Sequence, residues 1–549
     1  MGLRLVAYTA TVKDGIAYIE NSEGDTVYSN DPLELLNFIG EIFDDPEREK
    51  PDWGLKVAWD LDTFISVILK RLPLESVKEL ARKDHCVYMD SDCLPIAGAG
   101  RDSEPESYHK LSYIAGKFAT YEVKIGAQKS VSFMYHLCQY FDDEPDVTDV
   151  IKIHTKASLL IDEMRNLGLN PKALISPINI YEKEFLSRMQ VPTLLDLPNL
   201  ESEEIIDYAE ECAGKAWISA FQVGHWDIGE AWDYDLRAAY PSITAGLYNF
   251  KYAKFEKLNH LPEKGAHWGF LRGKLTIYDH VTVSPIIRRI GKELRSDVGT
   301  WEDTITLDEL AFIRQWHIGE FKMQDGWFIT FTAPVKPYEI PITRLFGQRS
   351  HSYFANKWAK RMANGIPGLW LHKNDREVPS KYYNPPYAAI VHSRTRLKVA
   401  DFIYRNKLVN NLISVDVDGI KVDREVKGVG MSNKMGEWAL HGIGGVLVIS
   451  PGRIYTGAKK PHGLNYDMIL QMINEHPKES YYVAKSMRRQ TLAESITQND
   501  LAHLGELREF QSAMDLNVLR AQQDREFPKY PRNGGELLAN KYTSKPLKA

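Results

Sequence analysis

Two short β-prone runs, Leu412-Ile413-Ser414-Val415 and Ile420-Lys421-Val422, flank Asp416-Val417-Asp418-Gly419. An Asp-Gly step between such runs predicts a hairpin, because Gly and Asp tolerate the tight turn and β-branched side chains suit a pleated ladder. This punctuation therefore commits the surrounding chain to a sheet. Residues two apart on a strand share a face, so the Asp416 and Asp418 carboxylates are expected to point the same way. Paired carboxylates on a rigid support suit hard divalent cations such as magnesium. A solvated turn would have the same composition.

Two further constellations precede it. In Trp232-Asp233-Tyr234-Asp235-Leu236-Arg237-Ala238-Ala239-Tyr240-Pro241-Ser242-Ile243, Asp235 is expected at a strand end just before a tight turn, its carboxylate at a sheet edge where it could share a metal with the hairpin. The plainer alternative makes Asp235 a helix cap and Tyr240 a core residue. In Lys357-Trp358-Ala359-Lys360-Arg361-Met362-Ala363-Asn364-Gly365-Ile366-Pro367-Gly368, the spacing of Lys357, Lys360 or Arg361, and Asn364 predicts one helix face, with Gly365 and Pro367 stopping the helix. That basic face could grip a triphosphate, or could be ordinary solvated surface.

Charge sharpens the third constellation. The net charge is −6, against a uniformly basic nucleic-acid coat, yet the segment from Pro341 to Arg361 carries five basic residues (Arg344, Arg349, Lys357, Lys360, Arg361) and no acid, interleaved with Phe346, Tyr353, Phe354 and Trp358. Basic and aromatic residues interleaved in this way suit phosphate and base contact. The 549 residues exceed what one core usually serves, so two to four domains are expected. Cys86, Cys93, Cys138 and Cys212 lack metal-site spacing and read as reduced thiols. The apolar N-terminal stretch is too short for a secretory leader, and no run reaches the roughly 18 residues of a membrane span, so a cytoplasmic, non-membrane protein is expected.

The opening segments LRLVAYTATV, GIAYIENS and DTVYS, divided by Lys13-Asp14-Gly15 and Glu23-Gly24-Asp25, read as three meandering strands. A helix in LELLNFIGEIF, a strand in GLKVAW and a helix through FISVILKRL follow, giving a ribonuclease-H-like α/β start. Acid-rich segments at 104–106 and 142–149 read as loops or helix starts. Boundaries are expected near 192–204, 334–341 and 379–386, and the tail from 524 onward reads as an extended surface segment.

In order and spacing, DLRAAYPSI, KRMANGIPG and DVDG resemble the three motifs of family B DNA polymerases, D-x-x-S-L-Y-P-S-I, K-x-x-x-N-S-x-Y-G and D-T-D-S, with Lys360 four residues before Asn364. AAIVHSRTRLKVADFIYRN is similar to the family's palm helix. MGEWALHGIGGVLVISPGRIYTG is similar to the strands leading to its K-x-Y primer-contact motif, with Arg453 and Tyr455 at the matching positions. The short spacings, and the phage-like segment AFQVGHWDIGEAWDYDL, resemble the compact viral or plasmid branch that includes protein-primed enzymes.

The resemblance implies an α/β and α+β multidomain chain: a ribonuclease-H-like exonuclease-type domain at 1–200, then a right hand of palm (201–341 and 385–450), fingers (342–384), and thumb with C-terminal tail (451–549). It implies that Asp235, Asp416, Asp418 and the Leu236 carbonyl hold two magnesium ions, with manganese as a substitute. Arg237, Arg349, Lys357 and Lys360 would meet the triphosphate, Tyr240 the deoxyribose, Asn364 and Gly365 the nascent base pair, and Arg453 and Tyr455 the DNA. Implied partners are primer-template DNA, deoxynucleotides and a terminal protein or other replication proteins, with the chain a monomer in the host cytoplasm. Gly365, Pro367, Val417 and Gly419 depart from the motifs, which bears on fidelity. Where the family's exonuclease has D-x-E, this chain has Tyr8-Thr9-Ala10, leaving Asp60 or Asp62, and Asp149, near the other acidic positions; loss of proofreading is expected. The alternatives are a self-priming polymerase or primase, and a catalytically silent nucleic-acid-binding replication factor.

Overall fold

The computed structural model describes residues 4–40, 55–79, 86–89, 107–114, 117–125, 131–141, 147–166, 168–169, 174, 180, 186, 204–349, 353–373, 377–457, 465–516, 525–526 and 531–549. The chain forms two compact units, Met1–Met189 with Met487–Phe510, and Gln190–Ser486 with Gln511–Ala549. The acid-rich segment at 104–106, most of that at 142–149, and nearly all of the 192–204 boundary lie outside the described residues.

The first unit is built on a sheet of order β3-β2-β1-β4-β8-β7-β6-β5. Its strands are β1 (Leu5–Lys13), β2 (Ile16–Asn21), β3 (Thr26–Ser29), β4 (Leu55–Ala58), β5 (Cys86–Met89), β6 (Ser107–Ile114), β7 (Lys117–Ile125) and β8 (Val131–His136). Lys13 pairs with Ile16, leaving Asp14 (φ 52) and Gly15 (φ 80) as a two-residue loop. Two positive φ values in succession match the twist of the flanking strands, which is why Asp-Gly serves here. β1 pairs in parallel with β4, and β4 with β8. The Leu61–Leu69 helix, capped by Asp60, is buried along nearly its whole length.

Leu492 and Leu504 join Val6, Leu61, Phe64 and Ile68 in this unit's core. The sequence reading left 487–510 with the C-terminal segment; burial of these leucines draws it into the first unit instead.

The second unit holds three main sheets. One has the order β20-β11-β19-β18-β9, formed by β9 (Ile218–Ala220), β11 (Trp232–Leu236), β18 (Leu412–Asp416), β19 (Gly419–Val422) and β20 (Trp438–Ile443). A second joins β10 (Gln222–Trp226), β21 (Val446–Ser450) and β22 (Arg453–Thr456) to the strand Tyr542–Thr543. The third has the order β12-β17-β13-β16, from β12 (Ala253–Leu258), β13 (Trp268–Ile277), β16 (Gly299–Thr306) and β17 (Gly319–Phe331), with the small ribbon β14 (Arg288–Ile290) and β15 (Glu293–Arg295) between. The tail expected as a surface segment is part of this unit: Tyr542–Thr543 pairs with β10 and Leu537 is fully buried.

The Pro385–Arg405 helix runs through this core, with Asn384 as its N-cap and Pro385 and Pro386 in its first turn. Proline is tolerated there because those N–H groups have no helical partner. Arg396, 1% exposed, donates Nη2 to Glu309, Nε to the Pro285 carbonyl at 3.1 Å and Nη1 to the Lys215 carbonyl. Glu309, itself buried, closes a capping box with Thr306 at the start of the Leu307–Trp316 helix. A buried charge pair with its remaining donors satisfied fixes where the long helix lies. No helix among the described residues is long and apolar enough to cross a membrane.

Candidate active site

Along β11, Tyr234 and Leu236 point into the core, while Asp233 and Asp235 share the other face. β11 runs between β19 and β20, and Asp235 pairs with Gly419 across the ladder. A Cβ built on Gly419 would lie 3.6 Å from Asp235 Oδ1, so the mouth of the hairpin and the Asp235 carboxylate are immediate neighbours.

The hairpin is tighter than the period-2 argument assumed. Asp416 closes β18, and its carbonyl accepts from the Asp418 N–H at 2.8 Å across Val417, which has φ 61. Asp418 therefore lies in the turn rather than on a strand. A β-branched residue in left-handed backbone is strained and persists only where its surroundings over-determine it. Here Val417 N–H donates to the Trp217 carbonyl and Leu236 N–H donates to the Asp418 carbonyl, both at 2.9 Å.

Electrostatics record the convergence. Burial pushes the Asp418 carboxyl up to about 6, with the Asp235 and Asp416 charges adding and Lys360 opposing. Asp235 is also raised, first by burial, with Asp233 adding and His441, Arg237 and Lys360 opposing. Like charges crowded on fixed backbone are what a divalent cation relieves, and a set of carboxylate oxygens matches magnesium's preference. The donor chemistry of Asp235, Asp416 and Asp418 suits such a cation, while their carboxylate oxygens do not all lie within 4.8 Å of one another.

Cationic groups border the carboxylates. Arg237 donates Nε to the Ser432 carbonyl at 3.1 Å. The Arg349 guanidinium is lowered by burial and by the neighbouring Arg237, with Asp235 opposing. The Tyr353–Leu369 helix buries Trp358, Met362 and Ile366 and leaves Lys360 and Asn364 exposed one turn apart, with Gly365 half-buried. The side chain of Lys357 lies outside the described residues. This helix does not stop at Gly365: it runs through Pro367 to Leu369. Proline that late removes a single ladder bond, and burial of Ile366, Leu369 and Trp370 outweighs it.

Tyr240 enters after Ala238 (φ 48), on the Ala239–Thr244 helix. Burial and the Asp418 charge push its phenol up to about 12. Its ring meets that of His392 edge-on, centroids 5.5 Å apart. Leu236 is fully buried.

Sequence reasoning missed Asp233, Lys421 and His441. Lys421 reaches Asp233 at 3.1 Å, and His441 Nδ1 lies 4.0 Å from the same carboxylate. Asp233 could have been found from its two-residue spacing to Asp235. His441 could not, because a β-bulge between β11 and β20 inserts it between Leu440 and Gly442. One expectation is corrected: Tyr455 is 0% exposed in the core around Val448 and Ile469, so its ring offers no surface to DNA, while Arg453 is half-buried.

In the first unit the D-x-E position is carboxylate-free: Tyr8 is core, and Thr9 donates its hydroxyl to Glu20 at 3.2 Å. Asp60 caps the Leu61–Leu69 helix, and Asp149 accepts from the Lys152 N–H at 2.9 Å at the start of Val150–Asn166. Asp60, His136 and Cys138 have potential ligand atoms within 4.8 Å of one another. They do not fit a metal, because His136 Nδ1 accepts from the Leu61 N–H at 2.9 Å. That places the ring proton on Nε2, facing Cys138 Sγ at 2.9 Å.

The whole is a mixed α/β multidomain chain whose fold is similar to that of Phi29 DNA polymerase. Solved structures of Phi29 DNA polymerase match it: the complex with primer-template DNA and incoming nucleotide substrates at TM-score 0.58, the complex with single-stranded DNA at 0.59, and the orthorhombic crystal form at 0.56. Each is 10% identical and spans 94% of this chain and 100% of the matched chain. No family model matches the sequence. No curated protein matches it either.

Proposed function

We propose that the chain is a template-directed DNA polymerase that adds deoxynucleotides to a primer 3′-hydroxyl. The observation that carries this reading is the meeting of Asp235 with the Asp416–Asp418 turn on neighbouring strands, bordered by Lys360, Arg349 and Arg237. Asp235, Asp416, Asp418 and the Leu236 carbonyl would hold two divalent ions, magnesium by preference, which when bound lower the charge barrier to phosphoryl transfer.

The protein's own groups supply positioning and charge, which is most of what this chemistry requires. Lys360 and Arg349 neutralise triphosphate oxygens, Lys357 aiding from the same helix as Lys360. Tyr240 forms the floor under the sugar. Asn364 and Gly365 border the base pair, and Arg453 meets the primer strand. The two carboxylate-bearing sheet segments act as palm, the Glu339–Gln348 and Tyr353–Leu369 helices as fingers, and the C-terminal part as thumb. The first unit serves as a nuclease-like domain without proofreading.

Primer extension on a defined template, with deoxynucleotides and magnesium, tests the reading. Incorporation that follows the template and disappears in Asp418→Asn supports it; a wild-type protein that binds the DNA but adds nothing sinks it in favour of a silent binding factor.

A further inference from the structure

We propose that His392 is a positioning residue for Tyr240 and, through that ring, sets how strongly the site rejects a ribonucleotide; the inference rests on the polymerase reading above. His392 lies on the Pro385–Arg405 helix. Its ring and that of Tyr240 make an edge-to-face pair, interplanar angle 68°. Such a pair fixes the orientation of a ring, where an aliphatic neighbour would only fill volume.

His392 is itself held from behind. Its Nδ1 accepts from the Gly214 N–H at 3.0 Å, which leaves the ring proton on Nε2. Gly214 sits just past the Glu204–Cys212 helix at φ +66, where a side chain would be strained and would also press on Arg289, 3.1 Å from its Cβ position. Arg289 in turn donates to the Ala213 carbonyl at 2.9 Å. A line of contacts therefore runs from the capped end of a helix through His392 to a half-buried tyrosine close enough to feel the Asp418 charge. Burial, with Arg396 and Arg289, keeps the His392 ring neutral at working pH.

The ligand feature at stake is the sugar 2′-hydroxyl. A ring that excludes one extra oxygen works only if its edge cannot retreat, since displacements of about 1 Å change reaction rates by roughly a hundredfold. Tyr240 supplies the obstacle and His392 stops it from swinging away.

The test compares dCTP with CTP as substrates of the full chain on one primer-template. The proteins are wild type, His392→Ala, Tyr240→Ala and the double variant. His392→Ala should lower the deoxy-over-ribo ratio of kcat/KM by about three- to tenfold, the size of effect an edge-to-face contact carries. In the Tyr240→Ala background the same change should have no further effect on the ratio, because the ring it positions is gone. An unchanged ratio in a folded His392→Ala protein overturns the inference, as does an equal factor in both backgrounds. Should His392→Ala fail to fold, His392→Asn, which keeps an acceptor for Gly214 but offers no ring, replaces it with the same expected outcomes. Wild-type extension is established first, so failure of the polymerase reading shows as no incorporation at all, which removes both proposals.

Discussion

The Asp418 carboxyl is pushed up to about 6 by burial and then by the charge of Asp235, although 182 residues lie between the two in sequence. Replacing Asp418 by Asn removes one charge and preserves the shape of the turn. Incorporation should fall by at least about a thousandfold, the scale at which loss of an electrostatic partner at the reacting centre acts. Binding of primer-template DNA, read by gel shift, should change little.

Lys360 is exposed on its helix and reaches the carboxylates only at range, so its work is on substrate rather than on the fold. Lys360→Ala should reduce kcat/KM for nucleotide by about ten- to a hundredfold, as expected for a lost hydrogen bond to a charged group. The melting temperature should stay unchanged. A large drop in melting temperature with normal kinetics would contradict the assignment.

The Arg396–Glu309 pair predicts the opposite pattern. Both side chains are buried, so Arg396→Met strands a carboxylate and should cost about 3 to 5 kcal/mol of stability. Denaturant midpoints measure it. Changing both residues to apolar ones should restore part of the loss, because the pair's worth lies chiefly in not leaving one charge alone.

His392 gives a pH signature. Its folded value is pushed down to about 4 from 6.5, so the unfolded chain takes up the proton first as pH falls. Its contribution to stability is therefore complete above about pH 6.5 and is lost progressively toward pH 4, by about 1 to 2 kcal/mol once screening of a half-buried ring is allowed for. The difference in unfolding midpoint between wild type and His392→Phe should narrow steadily over that window. A constant difference would show that the ring takes up its proton at least as readily in the fold as in the unfolded chain.

The first unit should not trim a primer. With Tyr8-Thr9-Ala10 in place of carboxylates, a 3′ end incubated with magnesium and no nucleotides should survive, and Asp62→Ala should change nothing. Rapid degradation abolished by that substitution would restore proofreading to the chain.

Much of the local structure around the second unit's candidate site was legible because it lies in short, punctuated segments. The Asp416 turn and the Asp235 strand end announce themselves through β-branched runs and a following Tyr-Pro-Ser helix start. What stayed hidden depends on contacts made far away in sequence. His441 arrives through a bulge whose cause lies in pairing with β11, and no local pattern predicts an extra residue there. The helix through Pro367 outlasts its breaker because Ile366 and Trp370 are buried, a fact about neighbours and not about propensity. Met487–Phe510 joins the first unit through leucines whose partners lie more than four hundred residues earlier.

Val417 carries a cost that folding alone would not choose. Glycine there would relieve left-handed strain of about 1 to 3 kcal/mol while adding a smaller penalty from a looser unfolded chain. A library screened only for heat resistance should accordingly drift toward glycine at 417, softening the turn that joins two carboxylates. Selection for durability and selection for turnover would pull this one position in opposite directions.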